Sequence, residues 1–588
     1  MSGPGAAMGA TAGGTSYADG TVPGSPRQGS RPPGRTPLTY GRLAWRAAGC
    51  AAAGVILFLC YLRLSRTVPV NADGASNALQ AWDMLHGNLL LHGWWLSDVS
   101  FYTTELPQYM LVESVRGLGP DVVHVAAAMT YTLLVLLAGL LAKGRATGRE
   151  AAVRVLIAAG IMLAPQLGNA SYTLLLSPDH VGTGVPLLLL WLVIDRARPR
   201  WYVPVTAGLL LAWVQVADSI TLIAGVLPLV IACAVRAART DGKEAARKGG
   251  EETAVSSLPV PPLPRDRAPR WYYLSLAGAA LASVPAASLT VRLIHGLGGY
   301  SAYQPRMTLA TAGSLPRHLE LAYQGVAELF GAGFPAQQPG LAVFFAAAHL
   351  AGLALAAWAL CLAVSRFFRW QDLLVPAFAA ATLLNLAAFI VSVTPVNIRS
   401  AREIAIVLPF GAVLAGRLLA GPVTEMAGRM ADAGRLARTA LLSAAAAILL
   451  CSVAALGYEA AQPSVPASDQ ALAGWLASHH LRDGLAKYWH ANNTTLDSSG
   501  RVLMTTVAVH DGKPVFGNAR ETDLAWRNPR SHFANFVVTA GQPPGQAAVM
   551  SQALLKAFGR PARTYRFEHY TIRVWDRNLL SALSGARD

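Results

Sequence analysis

Residues 71–111 read NADGASNALQAWDMLHGNLLLHGWWLSDVSFYTTELPQYML and set Asp73, Asp83, Asp98 and Glu105 among tryptophan, tyrosine and histidine. The stretch lies between the first two apolar runs long enough to cross a bilayer, in a connection of about fifty residues. Carboxylates and aromatics gathered just outside a first membrane helix mark a place of binding or chemistry, because charge is costly near lipid and is kept where it is used.

The whole chain agrees with a membrane setting. It has 588 residues, 53% of them hydrophobic and 14% charged, and a mean hydropathy of +0.38. Soluble domains carry nearer a quarter charged residues. The net charge of +16 does not point to nucleic acid, since the basic residues sit in short loops between apolar runs. No phosphate-binding glycine loop, dinucleotide fingerprint, HExxH or GxSxG occurs, which argues against ATP-driven transport by this chain alone. All five cysteines fall in apolar runs and offer neither an outer disulfide nor a zinc cluster. Arginine far outnumbers lysine, a usage that suggests a GC-rich bacterial genome.

About eleven spans are expected, near 45–64, 122–142, 153–168, 181–195, 203–215, 219–236, 271–293, 341–364, 373–393, 403–420 and 438–458. A break at Asp218 separates the fifth from the sixth, because an aspartate in mid-bilayer would be costly. With the N-terminus inside, the inner segments carry roughly 26 basic residues and the outer loops before the tail roughly 7. That bias expects a multi-pass plasma-membrane protein with a cytoplasmic N-terminus. It puts the catalytic loop 65–121 and everything after 458 outside. Residues 1–44 are rich in Gly, Pro, Ser and Thr and read as a disordered cytoplasmic tail, and 237–270 reads as a cytoplasmic linker.

From residue 459 the composition turns polar. Alternating runs at 501–509, 532–540 and 570–576 read as strands, and 468–481 and 545–559 have helical spacing. The expected fold is therefore an all-α polytopic membrane domain, 45–458, followed by a small extracytoplasmic α+β domain, 459–588. Asn492 and Asn493 open sequons and read as turn residues. The tail shows no recognised catalytic motif, so it is expected to shape acceptor access rather than supply a base.

Asp73 precedes an amphipathic run with Ala78, Leu79, Trp82, Leu85 and Leu89 on one face, so the plain reading is a helix N-cap. Glu105 precedes Leu106-Pro107 at a second helix start, where an acid suits the dipole. Together on one loop, however, the two carboxylates and their aromatic setting resemble the GT-C membrane glycosyltransferases, which take sugars from polyprenyl-phosphate carriers. Protein O-mannosyltransferases and the lipid A aminoarabinose transferases belong to that group. Their first outer loop opens with an essential aspartate, and many then carry an acid in a Tyr/Phe-acid-x-Pro segment. Asp73 stands at the first position. Glu105 and Pro107 of FYTTELPQYML (101–111) resemble the second, with Leu106 where the family often has Lys or Pro.

The resemblance implies a catalytic Asp73 and Glu105, a polyprenyl-phosphate sugar donor, a glycan, lipid or protein acceptor, and membrane lipids as surroundings. Transfer from a sugar phosphate needs a base for the acceptor hydroxyl and donors for the leaving phosphate. Arg399 and Arg402, in VNIRSAREIAIVLPF (396–410), can give the phosphate charge-assisted bonds, with Glu403 spaced to pair with Arg399. His180, in LLLSPDHVGTG (174–184), could assist, and Asp179 beside it reads as a helix cap. A divalent ion could bridge Asp73 and Glu105, although no spacing demands a metal. The competing readings are a transporter or flippase, which should show internal repeats and mid-span ionisable residues, and a non-catalytic envelope scaffold, whose loop carboxylates would be caps only.

Overall fold

A computed structural model of the chain describes residues 37–250, 268–302, 308–333, 341–433, 435–517, 521–540 and 544–583. It divides into two compact units, residues 1–53 and 54–588. The first is described from Pro37, where the helix Pro37–Ser65 begins. That helix takes in the last part of the expected tail 1–44, and residues 1–36 lie outside the described residues. All that follows concerns the second unit.

Each expected span falls on a helix. Among the described residues, seven helical stretches are long and apolar enough to cross a membrane: Ala48–Ser65, Asp121–Lys143, Leu222–Arg239, Arg270–Gly296, Phe345–Ser365, Leu374–Val391 and Val407–Arg429. Tyr202–Ala217 and Ala446–Ala460 are apolar but shorter. Gly148–Met162 and Asp179–Arg196 take the remaining two positions. The outward faces are greasy: Leu274, Leu281, Leu289 and Leu293 of Arg270–Gly296 share one side, with Leu289 68% exposed. An apolar face of that extent in the open calls for lipid around it. The break expected at Asp218 is present, since one helix ends at Ala217 and a single π-helical turn, Leu222–Val226, opens the next. One boundary differs. The helix Leu227–Gly250 runs well into the expected linker, whose remainder, 251–267, lies outside the described residues.

At one end of the bundle Arg417 is 5% exposed and stands between Asp195, at 2.9 Å, and Asp372, while its Nε–H donates to the Leu141 carbonyl at 2.7 Å. The buried guanidinium is thus compensated and joins three helices. At the opposite end the chain places two helices of the first loop, Ala72–Leu85 and Glu105–Arg116. Leu79, Met84, Leu91, Trp94, Leu96 and Tyr300 form a small apolar core beneath them.

After residue 460 the chain builds a mixed six-stranded sheet in the order Lys513–Phe516, Leu503–His510, Asp483–Ala486, Phe536–Ala540, Tyr570–Val574, Arg563–Phe567. Side chains alternate across it, as strand geometry requires. Phe536 and Val538 pack with Leu472 and Leu476 of the helix Gln470–Ser478, and Val537 packs on the other face with Leu554 of Pro544–Phe558. A second, three-stranded sheet ties this region to the first loop. Trp94–Leu96 lies between Ser301–Ala302, with Trp95 opposite Ser301, and Thr522–Asp523, with Trp94 opposite Asp523.

Candidate active site

Asp73 sits in the first turn of Ala72–Leu85, but it does not cap that helix. Asn71 does, with extended backbone and a side-chain oxygen that accepts the Gly74 N–H at 2.9 Å. Only glycine fits at 74, because a Cβ there would lie 2.9 Å from Val123 Cγ1. With the helix end satisfied, the Asp73 carboxylate is available elsewhere. Its Oδ2 accepts from Arg402 Nη1 at 3.0 Å and from Asn71 Nδ2 at 3.3 Å. Its Oδ1 accepts from the Tyr488 hydroxyl at 2.7 Å.

Arg402 arrives on the 3-10 turn Ile398–Ile404, which Asn397 caps by accepting the Arg399 N–H. It stands 3.6 Å from Asp179 as well. The expectation for Arg402 therefore changes: its guanidinium is a bridge between two carboxylates before any phosphate arrives. Asp179 is not a cap either, since Pro178 occupies that place. It holds a left-handed backbone with φ 28 and accepts from Ser177 at 2.6 Å and Asn77 at 3.2 Å. A non-glycine residue keeps such a backbone only where the surroundings enforce it. Burial pushes the Asp179 carboxyl above the usual range, against the pull of Arg402.

His180 points Nδ1 at Asp218 Oδ2, 3.0 Å away, and Thr183 donates to the same oxygen at 2.8 Å. Burial favours the neutral ring, but the Asp218 charge and hydrogen bond outweigh it and hold His180 up at about 9. The imidazolium is thus engaged with Asp218, the residue at the expected helix break.

Among the described residues, Arg399 is the arginine of this site without an ion pair. Its guanidinium lies 4.5 Å over the Tyr172 ring and makes no ion pair with a described residue. The expected pairing with Glu403 does not form. Glu403 bonds to Thr394 and faces His180, and burial raises its carboxyl.

Glu105 is brought close to the cluster but not into its wall. It is 1% exposed, bonded to Thr104 and pressed against Gly182. Burial drives its carboxyl well above the ordinary range. Glu105 does not line either cavity described below and stands behind Gly182. Asp73 and Glu105 turn to different partners, Arg402 and Tyr488 for the first and Thr104 for the second. Among the described residues no three His, Cys, Asp or Glu side chains gather as a metal-ligand group. Arg402 already gives Asp73 and Asp179 their positive partner.

The tail also contributes residues that carry no local signal of a site, Tyr488, Trp489 and Glu521, as does Tyr172 in the bundle. The signal in KYWHANN (487–493) is only an aromatic pair, and Glu521 has none. Asn492 and Asn493, expected in a turn, lie buried in the helix Tyr488–Asp497, which carries Tyr488 at its start. Asn493 donates to the Val70 carbonyl at 3.4 Å and so helps seat that helix on the first loop.

Two cavities result, of about 210 Å³ and about 220 Å³. Both are walled by Asp73, Asp179, Arg402 and Trp489. The first continues to Arg399, Tyr172, Asn71, Asn397 and Ser400, the second to Ser97, Asp98, Phe101, His180, Tyr488 and Glu521. Asp73, Asp179 and Arg402 thus edge both compartments; the first adds Arg399 and Glu403 with amide and hydroxyl groups, the second adds Asp98, Glu521 and His180.

No protein-family model and no curated protein matches the chain. Solved structures do. ArnT from Cupriavidus metallidurans, in a crystal structure bound to undecaprenyl phosphate, superposes with a TM-score of 0.50 at 13% identity, covering 92% of this chain and 99% of ArnT. The apo oligosaccharyltransferase of Archaeoglobus fulgidus gives 0.46 at 13% identity, covering 86% of this chain and 71% of that one. The ArnT likeness shows a shared fold: this chain and ArnT superpose over nearly their whole lengths.

Proposed function

We propose that this protein is a membrane glycosyltransferase that moves a sugar from a polyprenyl-phosphate carrier to a cell-envelope acceptor at the outer face of the plasma membrane. One observation carries the reading. A carboxylate freed from helix capping, Asp73, lines both compartments, the one that reaches Arg399 and the one that reaches Tyr488 and Glu521.

In this mechanism the carrier phosphate lies in the first compartment against Arg399. Its two parallel N–H groups suit phosphate oxygens, and the Tyr172 ring keeps the guanidinium plane in place. The acceptor hydroxyl enters from the second compartment and reaches Asp73 Oδ1. Its oxygen bonds to the anomeric carbon as the sugar–phosphate bond breaks. The hydroxyl proton passes to Asp73, and the electron pair leaves on the phosphate. Arg399 and Arg402 meet the charge that develops there, which is where preorganised donors contribute most. The ArnT structure, solved with undecaprenyl phosphate, supports a polyprenyl-phosphate partner. No step here is routed through a divalent ion.

The clustering of ionisable groups at one end of the helices favours this reading over a transporter, which would hold them at mid-span. The test is a deletion strain compared with its complement. A polyprenyl-phosphate sugar should accumulate and an envelope glycan should lose that sugar, with both restored by the wild-type gene. Unchanged envelope glycans and carrier lipids would sink the proposal.

A further inference from the structure

We propose that Glu521, Tyr488 and Asp73 form one directed hydrogen-bond chain, with Glu521 as its protonated end and Tyr488 as a positioning residue for the base. This rests on the reading of Asp73 above and extends the active site into the tail.

Proton counting gives the direction. The Tyr488 oxygen touches Asp73 Oδ1, at 2.7 Å, and also Glu521 Oε2. A phenol has one O–H and can donate to one carboxyl only, so the other must donate to it and must carry a proton. Of the two acids, Asp73 is the one that pairs with a cation among the described residues, Arg402 Nη1 at 3.0 Å. Glu521 is 9% exposed, and Arg402 gives its ion pairs to Asp73 and Asp179 instead. Glu521 therefore donates to Tyr488, and Tyr488 donates to Asp73. The charged groups facing Glu521 agree: burial, then Asp73 and Asp179, push its carboxyl well above the usual range, with Arg402 opposing.

The backbone around Glu521 is fixed from several sides. It holds a left-handed φ of 59, which a side chain of that size accepts only under constraint. Its N–H donates to the Trp95 carbonyl at 2.5 Å, and its own carbonyl accepts from Ser76 and Asn492, both at 3.2 Å. The first loop, the helix bearing Asp73 and the helix bearing Tyr488 all converge on this one peptide. Asp73 is consequently held on Oδ2 by Arg402 and on Oδ1 by Tyr488. A second lone pair of Oδ1 is left for the acceptor hydroxyl. In the transfer step Asp73 takes the acceptor proton, while Tyr488 and Glu521 keep theirs.

The experiment uses the full chain in phospholipid vesicles, with Glu521→Gln, which keeps shape, and Tyr488→Phe, both checked for wild-type melting behaviour. Infrared difference spectra at neutral pH, wild type minus Glu521→Gln, should contain the C=O stretch of a protonated carboxylic acid. In Tyr488→Phe that band should shift. Turnover with lipid-linked sugars extracted from the native membrane should fall about tenfold in Tyr488→Phe, with KM for the lipid within about twofold, as expected for loss of orientation rather than binding. A difference spectrum holding only carboxylate bands, or wild-type turnover in Tyr488→Phe, would overturn the proposal. Failure of the wild-type chain to bind undecaprenyl phosphate would instead remove the glycosyltransferase reading, and the infrared comparison would still decide the chain of donors.

Discussion

Asn71 and Asp73, two positions apart, divide between them what the sequence assigns to one residue: Asn71 takes the helix cap, and Asp73 faces Arg402 and Tyr488. Asp73→Asn should therefore leave the helix intact. Transfer should drop by about 10²–10⁴-fold, while the melting temperature moves little. Asn71→Ala should do the reverse, costing about 1 kcal/mol of stability through the lost cap. Equal activity in Asp73→Asn and wild type would remove the base.

The two arginines of the 398–404 turn should separate in their effects. Arg399 is free for phosphate, so Arg399→Ala should raise the dissociation constant for undecaprenyl phosphate by about tenfold or more, charged hydrogen bonds being worth roughly 1.5–3 kcal/mol each. Arg402 is committed to Asp73 and Asp179 and is 41% exposed. Arg402→Ala should cost roughly 1–2 kcal/mol of stability, less than a fully buried pair, and should depress turnover more than binding. Titration of both variants with undecaprenyl phosphate by intrinsic fluorescence would reveal any reversal of that order.

The His180–Asp218 pair predicts a pH dependence. His180 is held up at about 9 from its ordinary 6.5. The folded state thus keeps a proton that the unfolded chain releases, and the stabilisation is complete below about pH 6.5 and lost as pH rises through about 9. Melting curves across that window should fall for the wild type and flatten in His180→Gln. A wild-type curve that climbs with pH would contradict the pairing.

Glu105 and Gly182 are coupled by contact. A Cβ at 182 would lie 2.7 Å from Glu105 Cγ and 2.8 Å from its Cδ. Gly182→Ala should cost about 1–3 kcal/mol by overpacking, and Glu105→Ala in the same chain should recover much of it. Additive effects in the double variant would show that the two do not meet.

Orientation is open to a direct check. Reporter fusions at Gly242 and Ser468 should report opposite sides of the membrane, cytoplasm for the first. Both in the cytoplasm would invalidate the positive-inside assignment.

Much of the fold was legible because hydrophobic runs state their own place. The break at Asp218, the helix at 470–478 and the strands at 503–510, 536–540 and 570–574 follow from local pattern. The first loop marked Asp73 as a candidate in the same way. What stayed hidden depends on contacts between distant segments. Asp73 and Glu105 look alike in sequence, as acids at helix starts, and burial separates them. Arg399 and Arg402 look alike too, until one meets a tyrosine ring and the other two carboxylates. Glu521 carries no local mark, because its position is set by a strand pairing of Thr522–Asp523 with the first loop.

That spacing along the chain also sets a timetable. Tyr488 is synthesised 415 residues after the Asp73 it contacts. At about 5–20 residues per second, the ribosome leaves the carboxylate without its hydroxyl partner for roughly 20–80 s. The membrane helices can insert and pack during that interval, but the pocket around Asp73 stays unfinished throughout. It closes at once, when the last quarter of the polypeptide folds back onto the loop made first.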